Sequence, residues 1–81
     1  MQPDKLKTLF GKRIRSLRRI RDLTQEQLAE AVGCSAEYIS RIERGMVSPS
    51  FETLSAIANA LHVDVSALFD FSELPSHKAF K

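Results

Sequence analysis

Apolar residues recur along most of this chain at intervals of three or four positions, which is the spacing of amphipathic helices. The first stripe consists of Leu6, Phe10, Ile14 and Leu17, and it predicts a helix over residues 4–22. Comparable stripes follow, and they predict helices at 24–32, 35–44, 50–61 and from Asp64 onward. The pattern therefore predicts an all-α fold.

Polar and glycine residues mark the ends of the second and third predicted helices. Thr24 is placed to accept a hydrogen bond from a backbone amide at a helix start, and Gln27 completes a capping box. Gly33 follows where a sharp turn needs a positive φ, which glycine adopts at little cost. Ser35 is placed to cap the next helix. Residues 24–45 are therefore predicted to form a helix-turn-helix unit.

The two sides of the helix at 35–44 follow from its apolar positions. Because successive residues are rotated by about 100°, Ile39 and Ile42 define the buried side. The opposite side carries Glu37, Ser40, Arg41 and Arg44. Glu43 falls at the rim of the buried side, where a carboxylate needs a positive partner. Arg18, at the edge of the apolar stripe of the first helix, is the predicted partner in a structural ion pair.

Several residues in and around the helix-turn-helix unit resemble the phage repressor and Cro (XRE-type) class of DNA-binding domains. The matching positions are Gln25, Ala29, Gly33, Ile39, Pro49 and the run Ile42-Glu43-Arg44-Gly45. The resemblance covers residues 6–70, and it implies a compact five-helix lambda-repressor-like fold. It also implies that the third helix lies in the major groove of double-stranded DNA and that a homodimer binds a palindromic operator. We therefore expect a transcriptional regulator with a DNA-binding domain at 1–71 and a tail at 72–81.

The same resemblance indicates which residues contact DNA. Ala36, Glu37 and Arg41 take the base-reading positions, and Gln25 contacts phosphate or a base. With Arg13 added as a cation of the first helix, the expected contacts are Gln25, Ala36, Glu37, Tyr38, Ser40, Arg41, Arg44, Arg13, Ser48 and Ser50. Several members of the class carry glutamine at the three base-reading positions, so the operator sequence does not transfer to this chain.

A homodimer is expected because one recognition helix reads only a few base pairs. The end of the predicted domain offers more apolar surface than we expect a small core to absorb. The candidate contact residues between two copies are Val65, Leu68, Phe69 and Phe71.

Charge is unevenly distributed along the chain. Of the 12 Lys and Arg residues, eight lie between Lys5 and Arg21, whereas residues 24–81 hold more acidic than basic residues. Such asymmetry suits a protein that turns one face toward a polyanion. Taken alone, it is equally compatible with a solvated helix face that has no partner.

Other classes of function have less support in the sequence. It shows no nucleophile with a base, paired carboxylates or glycine-rich phosphate loop, so we expect no enzyme and no cofactor. One cysteine, Cys34, provides neither an internal disulfide nor a zinc site. No apolar run is long enough to span a bilayer, so we expect a cytoplasmic protein without a membrane partner. The alternative is a protein-interaction module, such as the antitoxin partner of a toxin. Arg41 and Arg44 argue against that alternative, and the acidic Glu37 beside them weakens this argument.

Overall fold

Four α-helices and one short 3-10 helix make up the fold in a computed structural model that describes residues 3–72 and 74. The α-helices are α1 (Pro3–Ile20), α2 (Gln25–Val32), α3 (Ala36–Glu43) and α4 (Phe51–Leu61). The 3-10 helix spans Val65–Phe69. The prediction of an all-α fold is confirmed, but the prediction of five α-helices is wrong. None of the described helices is both long and apolar enough to cross a membrane.

Side-chain hydrogen bonds cap the starts of α2, α3 and α4. The predicted capping box is present, because Thr24 Oγ1 accepts from the Gln27 amide at 3.0 Å and the Thr24 amide donates to Gln27 Oε1 at 2.9 Å. Ser35 Oγ and Ser50 Oγ accept from backbone amides in the first turns of α3 and α4. Asp64, from which the last helix was predicted to begin, makes no such side-chain bond. This absence agrees with the short 3-10 geometry of the last helix.

The turn between α2 and α3 has the predicted glycine geometry. Gly33 has a φ of 89°, and its amide donates to the Ala29 carbonyl, which closes α2. The first helix ends two residues before the predicted position, because Arg21 and Asp22 form a turn in which Asp22 has a φ of 57°. These two turns set the directions of α2 and α3.

A single core holds α3 against the rest of the domain. Its fully buried side chains are Ile14, Leu28, Ile39, Ile42, Ile57, Leu61 and Leu68. Gly11 lies where α1 meets the end of α3, and a Cβ atom there would lie 2.4 Å from the Ile42 carbonyl oxygen. Only glycine therefore allows α1 and α3 to approach this closely.

The apolar residues after α4 are more deeply buried than expected for a contact surface between two copies of the protein. Leu68 is completely buried, so its assignment to a dimer interface is wrong. Phe71 is half-buried against the core, and the Phe69 ring lies 5.0 Å from that of Phe10 between ring centroids. Leu74, within the predicted tail, is also buried. Residues 73 and 75–81 of that tail lie outside the described residues.

Replacing the N-cap of α3 tests how strongly this helix depends on local bonding. We expect Ser35→Ala to lower the free energy of unfolding by about 1 kcal/mol, because the Tyr38 amide loses its side-chain acceptor, Ser35 Oγ at 3.1 Å, and keeps only the Ser35 carbonyl. Urea denaturation measures the change. Ser55→Ala provides a control, since Ser55 is an exposed residue inside α4 and caps no helix. An equal effect of the two substitutions would contradict a capping role for Ser35.

Candidate nucleic-acid interface

The exposed side of α3 carries one carboxylate and two guanidinium groups in a single cluster. Glu37 Oε2 lies 3.3 Å from Arg41 Nε and 3.5 Å from Arg44 Nη2. Each of these three side chains is at least half exposed. Arg44 is also fixed to its own helix, because its Nε donates to the Ser40 hydroxyl at 3.2 Å. The cluster offers hydrogen-bond donors on the side of α3 that faces away from the core.

Side chains on the flanks of α3 are less exposed to solvent than those on the side that faces away from the core. Ala36 and Tyr38, both expected to contact DNA, are partly buried and pack against the core. Ser40 is also half-buried and accepts from Arg44. The members of the expected set on α3 that are exposed rather than partly buried are therefore Glu37, Arg41 and Arg44.

Behind this face, the structure brings Arg18 and Glu43 together as a buried ion pair. Arg18 Nε donates to Glu43 Oε2 at 2.6 Å, and Nη2 donates to Oε1 at 3.1 Å. Arg18 and Glu43 are 8% and 6% exposed. The remaining terminal nitrogen of Arg18, Nη1, donates to the Leu23 carbonyl at 2.7 Å. The pair joins α1 to the end of α3 and to the turn that precedes α2.

Two further donors reach the same carboxylate from the surface. Gln25 Nε2 donates to Glu43 Oε1 at 3.1 Å, and Arg15 Nε lies 3.6 Å from that oxygen. The Arg15 side chain is 51% exposed, so part of its guanidinium faces solvent. Gln25 and Arg15 therefore lie together where α1, the start of α2 and the end of α3 meet.

Arg15 was not among the residues expected to contact DNA, whereas Arg13 was. Arg13 is only 6% exposed, and its Nε donates to the Ala67 carbonyl at 2.9 Å. A guanidinium held inside the domain does not reach a phosphate, so we remove Arg13 from the interface. The sequence held a signal for Arg15, which precedes Arg18 by three residues and so shares its edge of α1.

The loop between α3 and α4 supplies the two expected serine contacts. Ser48 is exposed. The Ser50 hydroxyl already accepts from the Thr53 amide at 3.2 Å and lies 3.1 Å from the Thr53 hydroxyl. Ser48 is therefore the more available hydroxyl of the two.

The turn of the helix-turn-helix unit contains the cysteine. Cys34 is partly buried against the core, and this burial raises the pKa of its thiol. A raised pKa keeps the thiol protonated and lowers its reactivity. Its position therefore agrees with a space-filling role in the turn.

Comparison with proteins of known sequence gives relatives over most of this domain. The chain is 48% identical over 58 residues to an immunity repressor protein of Bacillus phage phi105, an alignment that spans 72% of this chain and 40% of that protein. It therefore spans less than half the length of this relative.

Solved structures show the same architecture. The restriction-modification controller protein C.AhdI from Aeromonas hydrophila is 35% identical, with a TM-score of 0.75 over 76% of this chain and 94% of that protein. The clp gene regulator ClgR from Corynebacterium glutamicum is 31% identical, with a TM-score of 0.81 over 93% of this chain and 79% of that one. The expected resemblance to phage repressors is therefore confirmed.

The model of a helix-turn-helix family (HTH_3) matches residues 14–68, which contain α2, the turn, α3 and α4. The matched segment also includes the Arg18–Glu43 pair and the exposed cluster on α3. The members of this family are DNA-binding transcriptional regulators, not enzymes. The chain belongs to the helix-turn-helix family HTH_3.

Proposed function

We propose that this protein is a sequence-specific regulator of transcription that binds double-stranded DNA through α3 in the major groove. The observation that carries the proposal is the exposed pair Arg41 and Arg44 on the side of α3 away from the core, with α3 joined to α1 by the buried Arg18–Glu43 bridge. The major groove of B-DNA admits an α-helix, and arginine is the most frequent reader of guanine there. The family membership supports the same function.

Within this interface the residues have different roles. Arg41 reads a base, since its side chain is 53% exposed on the side of α3 that faces away from the core. Arg44, Arg15 and Gln25 hold phosphates from the edges of the helix-turn-helix unit, where charge and amide groups fix orientation rather than sequence. Ser48 donates to the backbone from the loop after α3. The negative charge of Glu37 weakens the attraction of α3 to phosphate.

We further propose that the protein acts in the cytoplasm as a homodimer on a palindromic operator, because two recognition helices are needed for useful specificity. With Leu68 inside the core, the apolar candidates left at the surface are Val65 and Phe69, which are 42% and 39% exposed, and the edge of Phe71. Sedimentation at micromolar concentration tests this. A 9.1 kDa species alone, even with operator DNA present, would contradict the dimer.

Selection of bound sequences from a random pool of duplex DNA tests the function directly. We expect an enriched motif with two inverted half-sites whose centres lie about one helical turn apart. Retention on heparin or nonspecific DNA, eluted with salt, provides an independent measure of phosphate binding. A protein that shows neither retention nor enrichment would contradict DNA binding and favour the protein-interaction alternative.

Loss of Arg15 should weaken binding to every DNA sequence. We expect Arg15→Ala to reduce the slope of log affinity against log salt by about one, because one phosphate contact is lost. Arg21→Ala is the matched control, since it removes a guanidinium from the same region of the chain. Arg21 donates to the His62 carbonyl at the end of α4 and lies away from the Glu43 carboxylate. Equal slopes for Arg15→Ala and the unmodified protein would remove Arg15 from the interface.

A further inference from the structure

A single oxygen of Glu37 connects both arginines on the exposed side of α3. Arg41 lies one helical turn after Glu37, and Arg44 lies about two turns after it, so all three side chains share one side of α3. The two distances, 3.3 Å to Arg41 Nε and 3.5 Å to Arg44 Nη2, involve the same atom, Oε2. The Glu37 side chain is 66% exposed and lies in the first turn of α3.

The atoms used on Arg41 determine what the contact leaves available. Glu37 Oε2 accepts a hydrogen bond from Arg41 Nε at 3.3 Å. A guanidinium carries five donors in a planar fork, and Nη1 and Nη2 together match the O6 and N7 acceptors of guanine. A carboxylate on Nε therefore limits the rotation of the side chain while the two nitrogens needed for guanine remain available.

Arg44 is held more completely. Its Nε donates to the Ser40 hydroxyl, and its Nη2 lies beside Glu37. The carboxylate also compensates part of the positive charge of the two arginines. Nonspecific binding depends on phosphate neutralisation, so a negative charge at this point weakens it.

From these contacts we propose that Glu37 is a positioning residue that determines specificity: it orients Arg41 toward guanine and reduces the attraction of the helix to phosphate. This inference rests on the proposed DNA-binding function and deepens it. Glu37 acts on base recognition through Arg41, and it acts on nonspecific affinity through its charge. Specificity is a difference between two affinities, and both effects of Glu37 increase that difference.

The variant Glu37→Gln keeps the shape of the side chain and removes its charge. Affinity for the selected site should fall, and affinity for scrambled DNA should rise. We expect the ratio of the two affinities to fall roughly fivefold to tenfold, because an exposed ion pair is worth less than a bidentate base contact. Glu30→Gln removes the same charge from an exposed position on α2, outside the cluster, and should leave the ratio unchanged.

A double-variant cycle separates positioning from a direct effect of Glu37 on DNA. In the Arg41→Ala background, Glu37→Gln should no longer lower affinity for the selected site, although it should still raise affinity for scrambled DNA. An equal loss at the selected site in both backgrounds would overturn the positioning role. If Glu37→Gln left the affinity for scrambled DNA unchanged, the proposed effect of the Glu37 charge on nonspecific binding would be overturned. If the unmodified protein enriches no sequence, the proposed function itself fails, and that result is distinct from a failed cycle.

Discussion

Glu43→Gln should lower the free energy of unfolding by about 3 kcal/mol, because it leaves the Arg18 guanidinium buried without a counter-charge. Two of the three Arg18 nitrogens donate to this carboxylate, and the pair is almost completely shielded from solvent. A domain of this size has a total stability on the order of 5–15 kcal/mol, so the loss would be a large fraction of it. Chemical denaturation followed by circular dichroism measures the change.

Two comparisons show whether burial causes this effect. Glu37→Gln makes the same chemical change on the same helix, but its ion pair with Arg41 is exposed. It should lower the free energy of unfolding by less than about 0.5 kcal/mol. Arg18→Met with Glu43→Met replaces both charges by apolar groups, and it should recover part of the stability lost in either single variant. Unchanged denaturation midpoints for both Glu43→Gln and Arg18→Met would mean that the pair contributes nothing to folding.

The sequence predicted those features that depend on neighbouring residues. The capping box at Thr24, the positive φ of Gly33 and the cap at Ser35 follow from local chemistry, and the structure contains all three. The burial of Glu43 could also be predicted, because helical rotation places it beside the apolar side of α3. A carboxylate at that position requires a positively charged partner. Arg18 was the candidate because it lies at the edge of the apolar stripe of α1.

Features that depend on distant parts of the chain were not predictable in the same way. Arg13 is adjacent to the apolar position Ile14, but the acceptor for its guanidinium is the Ala67 carbonyl, 54 residues away. Leu68 was assigned to a contact surface because sequence does not measure how much apolar area a core absorbs. The short last helix depends similarly on packing, since the Asp64 side chain at its start makes no capping hydrogen bond. By contrast, the spacing of Glu37, Arg41 and Arg44 along the sequence already placed these three residues on the same exposed side of α3.

Arg41→Ala should weaken binding to the selected site by about 1–3 kcal/mol and should affect binding to scrambled DNA much less. The Arg41 side chain is 53% exposed, and its Nε is held by Glu37, so its terminal nitrogens are available for a guanine. Loss of a base contact affects only DNA that offers the correct base. The ratio of specific to nonspecific affinity should therefore fall, with the preference lost at one position of each half-site.

Arg44→Ala is the matched variant, because it removes an arginine from the same cluster without removing the proposed base contact. It should weaken selected and scrambled DNA by similar factors and reduce the salt slope by about one, as expected for a phosphate contact. Titration of both variants against both DNAs at several salt concentrations distinguishes the two patterns. If Arg41→Ala weakened both DNAs equally, Arg41 would be a backbone contact, and the base-reading role would have to pass to another residue of α3.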